Sequence, residues 1–68
     1  MPKYDLSGVD GNVFAVIGYT RRVLKYAGLA DLIPEMQQDA MSGDYDHAIQ
    51  VCMRYVDIAN QSDSEEMD

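Results

Sequence analysis

Residues 13–27 read VFAVIGYTRRVLKYA and carry the clearest helical pattern in the chain. Apolar side chains and one threonine recur there at helical spacing, so at about 100° per residue they share one face. These residues are Val13, Val16, Ile17, Thr20, Val23, Leu24 and Ala27. The pattern predicts an amphipathic helix that buries this face in a core.

Both ends of this helix carry residues that commonly cap helices. Asp10 is the expected N-cap, because a short acidic side chain accepts hydrogen bonds from the free amides of the first turn. This cap would place Val9 and Phe14 at the two positions that form a hydrophobic staple. Gly28 follows the apolar pattern and is expected to end the helix as a left-handed C-cap.

A second helix is predicted from about Asp31, with Pro34 in the first turn, where its missing amide has no intrahelical partner. Its buried stripe is expected to comprise Leu32, Ile33, Met36 and Ala40. The break that follows contains Gly43 for the turn, and Asp44 or Ser42 as the cap of the next helix.

A third helix is predicted from about Tyr45 to Arg54, because apolar residues again recur at helical spacing. The expected inward side holds Tyr45, Ala48, Ile49, Cys52, Tyr55 and Val56. The expected outward side holds Asp46, His47, Gln50 and Arg54. The fold class is therefore mainly α, a small three-helix domain.

Two flanking segments alternate between apolar and polar residues, which is typical of strands. Tyr4 and Leu6 alternate with polar neighbours near the start, and Val56 and Ile58 flank Asp57 near the end. These segments could pair as a short two-stranded antiparallel ribbon joining the two ends, which would make the fold α+β. A two-stranded ribbon is marginal alone and would need the helices to cover it.

The charge of the chain is concentrated at its end. The formal charge of the 68 residues is −7, and four of the twelve acidic residues lie in residues 60–68. We expect a single small helical domain over residues 1–59 and a disordered acidic tail over 60–68. The tail either solubilises the protein or acts as an acidic lure that shields a basic surface or imitates phosphates.

Composition disfavours several classes of protein. No apolar run approaches the ~20 residues of a membrane helix, and residues 1–7 lack the order of a secretion signal. Cys52 is the only cysteine, so an internal disulfide cannot form and a reducing cytoplasm fits best. The acidic balance disfavours general nucleic-acid binding, because neutralising phosphates requires a basic surface.

The residues best suited to chemistry lack the partners that chemistry requires. His47 lies beside Asp44 and Asp46 but has no second histidine for a metal site, and it is expected to be solvated or paired with a cap carboxylate. Cys52 lies in the middle of an apolar stripe and is expected to pack in the core. The sequence therefore predicts neither an enzyme nor a cofactor or metal.

The outward side of the first helix is the feature that most favours a function. Arg21, Arg22 and Lys25 fall within about 100° of arc on a helical wheel. Ala15 and Gly18 lie on the same side and would let another backbone approach closely. The residues predicted to bind a partner are Tyr19, Arg21, Arg22, Lys25 and Tyr26.

Three interpretations of this surface are open. The cations could only solvate the helix and complement its C-terminal dipole. They could contact a protein, either a second copy or another chain, which an Arg- and Tyr-rich surface favours. Alternatively, Arg21, Arg22 and Lys25 could hold the phosphates of a nucleotide or single strand, while Tyr19 or Tyr26 stacks on a base.

Two short motifs carry a resemblance to known proteins. The pattern Asp10-Gly11-Asn12-x-Phe14 with Gly18, followed by the run GDYDH at 43–47, resembles a group of short uncharacterised proteins of bacteriophages, prophages and bacteria. The resemblance spans roughly residues 6–58. It implies a phage accessory protein that acts in the bacterial cytoplasm, often by binding a host or defence component, and it assigns no catalytic residues.

Overall fold

The structure is a computed structural model, and it describes residues 2–66, with the side chains of 2–62. Three α-helices follow one another: α1, Val13–Tyr26; α2, Ile33–Ala40; and α3, Tyr45–Glu66. Short 3-10 turns at Leu6–Gly8 and Ala30–Leu32 precede α1 and α2. The predicted three-helix domain is confirmed.

The predicted inward face of α1 is confirmed residue by residue. The buried side chains are Val16, Ile17, Thr20, Val23, Leu24 and Ala27, with Val13 half-buried at the start of the helix. Thr20 is the polar member, and its hydroxyl donates to the carbonyl of Val16 at 2.8 Å, so no buried donor is left without a partner there. Gly28 closes the helix with a φ of 76°, as predicted.

The predicted N-cap of α1 is wrong by two residues. Asn12 caps the helix, with its Oδ1 accepting from the amide of Phe14 at 2.8 Å. Asp10 instead accepts from the amide of Asn12 at 2.9 Å, which forms a turn ahead of the helix. Phe14 is therefore the second residue of α1 and not the fourth, so the expected staple with Val9 is wrong as well.

The inward stripes of α2 and α3 follow the predicted spacing, with Leu32, Ile33 and Ile49 half-buried against the core and one residue outside it. Met36 and Ala40 of α2 are buried, and Asp44 caps α3 by accepting from the amide of His47 at 2.9 Å. The α3 side chains that are buried are Ala48, Val51, Cys52, Tyr55, Val56 and Ala59. Tyr45 is the exception: it lies at the rim, half-exposed, because the core begins one turn later.

α1 and α3 run in the same direction and share most of the core. Near their starts, residues 16–17 of α1 pack in one apolar cluster with 48–52 of α3. Further along, Val23 and Ala27 pack in a second cluster with Val56 and Ala59. α2 connects the two helices and adds Met36 to the first cluster. This arrangement leaves the opposite side of α1 exposed.

The predicted ribbon is wrong, because no strand occurs within residues 2–66. Val56 and Ile58 belong to α3, whose period brings Val56 onto its buried side, and Leu6 lies in a 3-10 turn. The two segments nevertheless meet through one side chain. The amide of Tyr4 donates to Asn60 Oδ1 at 2.8 Å, and Asn60 Nδ2 donates to the carbonyl of Tyr4 at 2.9 Å. Asn60 thus bonds the Tyr4 backbone much as a neighbouring strand would.

α3 is longer than predicted and passes the expected domain boundary after residue 59. Residues 60–66 continue the helix, and Asn60 is half-buried. The disorder of the acidic tail stays a prediction, and residues 67–68 lie outside the described part. Between residues 2 and 66, no helix has both the length and the apolar character that crossing a membrane requires.

Candidate interaction surface

Three cations occupy the side of α1 that faces away from α3. Arg21, Arg22 and Lys25 are all exposed, as predicted. Among the side chains of residues 2–62, none of the three forms a salt bridge; Arg21 donates to Gln37 Oε1 at 3.3 Å, a neutral and exposed contact. Their positive charge is therefore directed at solvent.

The two tyrosines that flank these cations differ in their surroundings. Tyr26 is 75% exposed at the end of α1. Tyr19 is half-buried, and its hydroxyl accepts from the amide of Asp5 at 3.0 Å, which holds the N-terminal segment against α1. Of the two tyrosines, Tyr26 therefore offers the more accessible ring to a partner, whereas Tyr19 also has a structural contact.

Two exposed apolar side chains beside these cations were missed by the sequence reasoning. Phe14 is 71% exposed on α1, and Met41, directly after α2, is 64% exposed. With Ile17, Gly18, Arg21 and Gln37 they line an open groove of ≈ 330 Å³ between α1 and α2. On a helical wheel Phe14 lies near Gly18 and Arg21 and outside the apolar face. Without the expected staple with Val9, the wheel alone predicts that Phe14 is exposed.

Gly18 has no packing requirement inside this chain. A Cβ atom built there would meet only the Arg22 guanidinium, at an ordinary 3.8 Å. A glycine inside a helix costs about 1 kcal/mol relative to alanine. Only the flexible Arg22 side chain reaches the space above Gly18, so packing within the described chain does not require a glycine at this position.

The two sequence motifs lie at the same end of the helical bundle. The hydroxyl of Tyr45, from the second motif, donates to the carbonyl of Gly11, from the first. Gly43 is required by close contact, because a Cβ there would lie 2.8 Å from the His47 ring. Together with the caps at Asn12 and Asp44, these contacts give both motifs a structural role.

His47 forms a cluster that resembles a catalytic triad in composition but not in geometry. Its Nε2 lies 3.0 Å from Asp39 Oδ1, 3.0 Å from the Asp39 carbonyl and 3.4 Å from Ser42 Oγ. A proton relay requires the carboxylate on one ring nitrogen and the hydroxyl on the other. Here a single nitrogen faces all three groups, and Ser42 Oγ donates to the Asp39 carbonyl at 2.7 Å. The cluster closes the end of α2.

The partner of His47 is thus Asp39 and not a cap carboxylate, while the other alternative, solvation, holds in part because the side chain is 40% exposed. α2 brings Asp39 next to the ring, whereas Asp44 Oδ1 is engaged by the His47 backbone amide. Among residues 2–62, no three histidine, cysteine or acidic side chains are grouped closely enough to hold a metal ion.

Two titratable side chains of α3 lie in the core. Cys52 is fully buried, which confirms its predicted packing role, and burial raises the pKa of its thiol while a contact with Thr20 acts in the opposite direction. Burial raises the pKa of Tyr55 as well, assisted by the hydrogen bond that its hydroxyl donates to Glu35 Oε2 at 3.0 Å. Both groups are held in their neutral forms.

Comparison with protein-family models, with curated proteins and with solved structures gives no significant match. The resemblance of the two motifs to short phage proteins therefore stays a prediction.

Proposed function

We propose that this protein is a non-enzymatic interaction protein that docks on a partner protein through the outward face of α1. The proposal is carried by what that face combines: exposed cations without a salt bridge among residues 2–62, exposed aromatic rings, and Gly18, which the packing of the chain does not require. Aromatic and arginine side chains are the residues that contribute most binding energy at protein interfaces.

The helix dipole explains only part of this positive charge. The interaction of a cation with the dipole falls off within the last helical turn. Lys25 lies in that turn, but Arg21 and Arg22 lie before it. Solvation of the helix would be served by either sign of charge, so the grouping of three cations in an acidic protein favours recognition.

The context of the proposed interaction comes from the two motifs. Their resemblance to short phage and prophage proteins supports a phage accessory role in the bacterial cytoplasm, with a host or defence protein as the partner. Self-association is the other form of this proposal. A second copy docking by the same face would set the three cations against their own copies, which costs free energy, so it would have to present a different face.

Charge reversal on α1 tests the proposal. We expect the double variant Arg21→Glu/Arg22→Glu to lose the proteins that the wild type captures from a bacterial lysate, and any oligomer seen by light scattering. The control is Lys3→Glu/Arg54→Glu, which changes the net charge equally and lies outside α1. It also removes the 3.8 Å contact of Arg54 with Asp39 and the stacking of Lys3 on the Tyr4 ring, so its helical circular dichroism is compared with the wild type as well. If the double variant keeps its helical circular dichroism and still captures the same proteins, the proposal is wrong.

Exposure of Tyr26 beside the cations also supports the alternative, a module that binds a nucleotide or a single-stranded nucleic acid. In that case Arg21, Arg22 and Lys25 would hold phosphates. Binding of labelled oligo(dT) that weakens steeply with added salt would favour this function, because phosphate contacts release counterions. Absence of binding at low salt would remove it.

A further inference from the structure

The groove between α1 and α2 is open and partly apolar, which suits an apolar side chain of a partner. Phe14 and Met41 line it as exposed apolar side chains, and Gly18 offers bare backbone. Apolar side chains in a concave site are typical of the anchor pockets of protein interfaces. The missing side chain at Gly18 also permits a partner backbone to come close to α1.

The charge beside this groove is positive, in a protein that is otherwise acidic. Arg21 lines the groove, and Arg22 and Lys25 follow it on the same face of α1. Asp5 and Asp10 line a neighbouring hollow that both arginines border, but within residues 2–62 no carboxylate lines the groove itself. Only two other cations occur in the chain, against twelve acidic residues. Complementary charge on a partner is therefore negative, and charge repulsion disfavours a second copy that presents the same face.

A partner with apolar and acidic side chains together fits the groove better than a phosphate chain. Phosphates would engage the cations but leave the exposed Phe14 and Met41 without a counterpart. An amphipathic helix satisfies both parts of the surface, because its apolar face can enter a groove while its flanks carry carboxylates.

We infer that the α1–α2 groove binds an acidic amphipathic helix of the partner protein, with an apolar side chain between Phe14 and Met41 and carboxylates against Arg21, Arg22 and Lys25. This inference rests on the proposed function and names the chemistry of the partner. It also places the centre of the interaction surface at the groove and not at Tyr19 and Tyr26.

An unbiased selection tests the inference. The wild-type protein is used as bait for a library of random peptides displayed on yeast. We expect the enriched peptides to be net acidic, with apolar residues at helical spacing, and to be lost when Arg21→Glu/Arg22→Glu is the bait. Neutral or basic enriched peptides, or no enrichment at all, would overturn the inference.

Substitutions in the groove sharpen the test. For the best selected peptide, Phe14→Ala and Met41→Ala should each weaken binding roughly tenfold, whereas the control Met53→Ala, exposed on α3, should change it less than about twofold. Gly18→Leu should block the groove and weaken binding by more than about tenfold, yet raise the midpoint of thermal unfolding, because leucine is the better helix former. Weaker peptide binding together with a lower midpoint of thermal unfolding would indicate damage to the fold and would contradict the inference.

The two proposals can fail separately. Lysate capture that depends on Arg21 and Arg22, together with selected peptides that are not acidic, would retain the docking face and reject the acidic helix. Capture and peptide binding that both ignore these arginines would reject the docking face as well.

Discussion

The two faces of α1 differ in burial and in bonding, although they belong to the same fourteen-residue helix. On the inward face, Leu24 is fully buried and Thr20, the polar member, has its hydroxyl bonded within the helix. On the outward face, Phe14 is exposed, and packing within the described chain does not require the glycine at position 18. The three cations of this face have no salt-bridge partner among residues 2–62.

This difference separates what the fold requires from what it leaves available for recognition. Buried apolar groups stabilise the native state in proportion to the area removed from water, whereas exposed side chains contribute little. If the outward face served only to keep the protein in solution, exposed Phe14 and a mid-helix glycine would both be poor choices. Substitutions on the two faces should therefore differ in size and even in sign.

The largest expected effect is that of Leu24→Ala on the inward face. Removing a fully buried leucine side chain costs about 2–5 kcal/mol, from lost apolar burial and from the cavity left behind. In a domain of this size such a loss leaves little net stability. Urea denaturation followed by circular dichroism measures it.

The matched control is Phe14→Ala on the outward face of the same helix. Because the Phe14 ring is mostly exposed, its removal gives up little buried area, and alanine is the better helix former. We therefore expect the free energy of unfolding to change by no more than about 0.5 kcal/mol. Comparable losses for Leu24→Ala and Phe14→Ala would contradict the division of α1 into two faces.

A smaller effect concerns Tyr55, which lies on the inward side of α3 and bonds Glu35. Tyr55→Phe removes this bond and should cost about 1 kcal/mol at neutral pH, since Glu35 is open to solvent. The pKa of Tyr55 is raised in the fold, so its contribution is complete below the unfolded value of about 10 and is lost as the pH rises above it.

The measurement is urea denaturation of both proteins across that pH range. The difference in unfolding free energy between wild type and Tyr55→Phe should shrink from pH ~10 upward. Cys52, whose pKa is also raised, is present in both proteins, so its contribution cancels in the difference. A difference that grows in alkali would show that the assigned environment of Tyr55 is wrong.

The inward face of α1 was predictable from the sequence, because the apolar periodicity of residues 13–27 fits only a helix that buries one side. The full length of α3 was not. Beyond Ile58, only Ala59 continues the apolar pattern within the described residues, and its burial depends on contact with α1. The bond between Asn60 and Tyr4 joins positions 56 residues apart, for which local patterns carry no signal.

The candidate surface was predictable in part. The exposure of Arg21, Arg22 and Lys25 follows from the phase of the same helical wheel. The groove could not be derived from it, because Met41 meets Phe14 only through the way α2 packs on α1. Asp10 and Asn12 both have capping side chains, so the sequence alone did not decide which of them starts α1.

On the outward face, Gly18→Ala should raise stability. A Cβ there meets nothing closer than 3.8 Å, so the substitution should gain up to about 1 kcal/mol from helix propensity. Thermal unfolding followed by circular dichroism measures the gain, and Ala15→Gly on the same face is the reverse control, with a loss of similar size. A destabilising Gly18→Ala would show that the monomer does use the space above residue 18.

The smallest expected effect on stability is that of Arg21→Glu/Arg22→Glu, the variant expected to abolish docking. Neither arginine forms a salt bridge within residues 2–62. In the wild type, Arg21 and Lys25 are like charges four residues apart, which is mildly unfavourable in a helix, whereas a glutamate at position 21 would stand in the favourable order with Lys25. Added net negative charge acts against this gain.

The unfolding free energy should therefore change by less than about 0.5 kcal/mol, and any gain should be largest at low salt, where charges on a helix surface are least screened. Urea denaturation at low and high salt measures both quantities. A loss above about 2 kcal/mol would mean that the arginines belong to the fold and not to a docking face. If the double variant loses binding while its unfolding free energy stays nearly unchanged, then Arg21 and Lys25 are kept as a like-charge pair for recognition, because folding does not favour that pair.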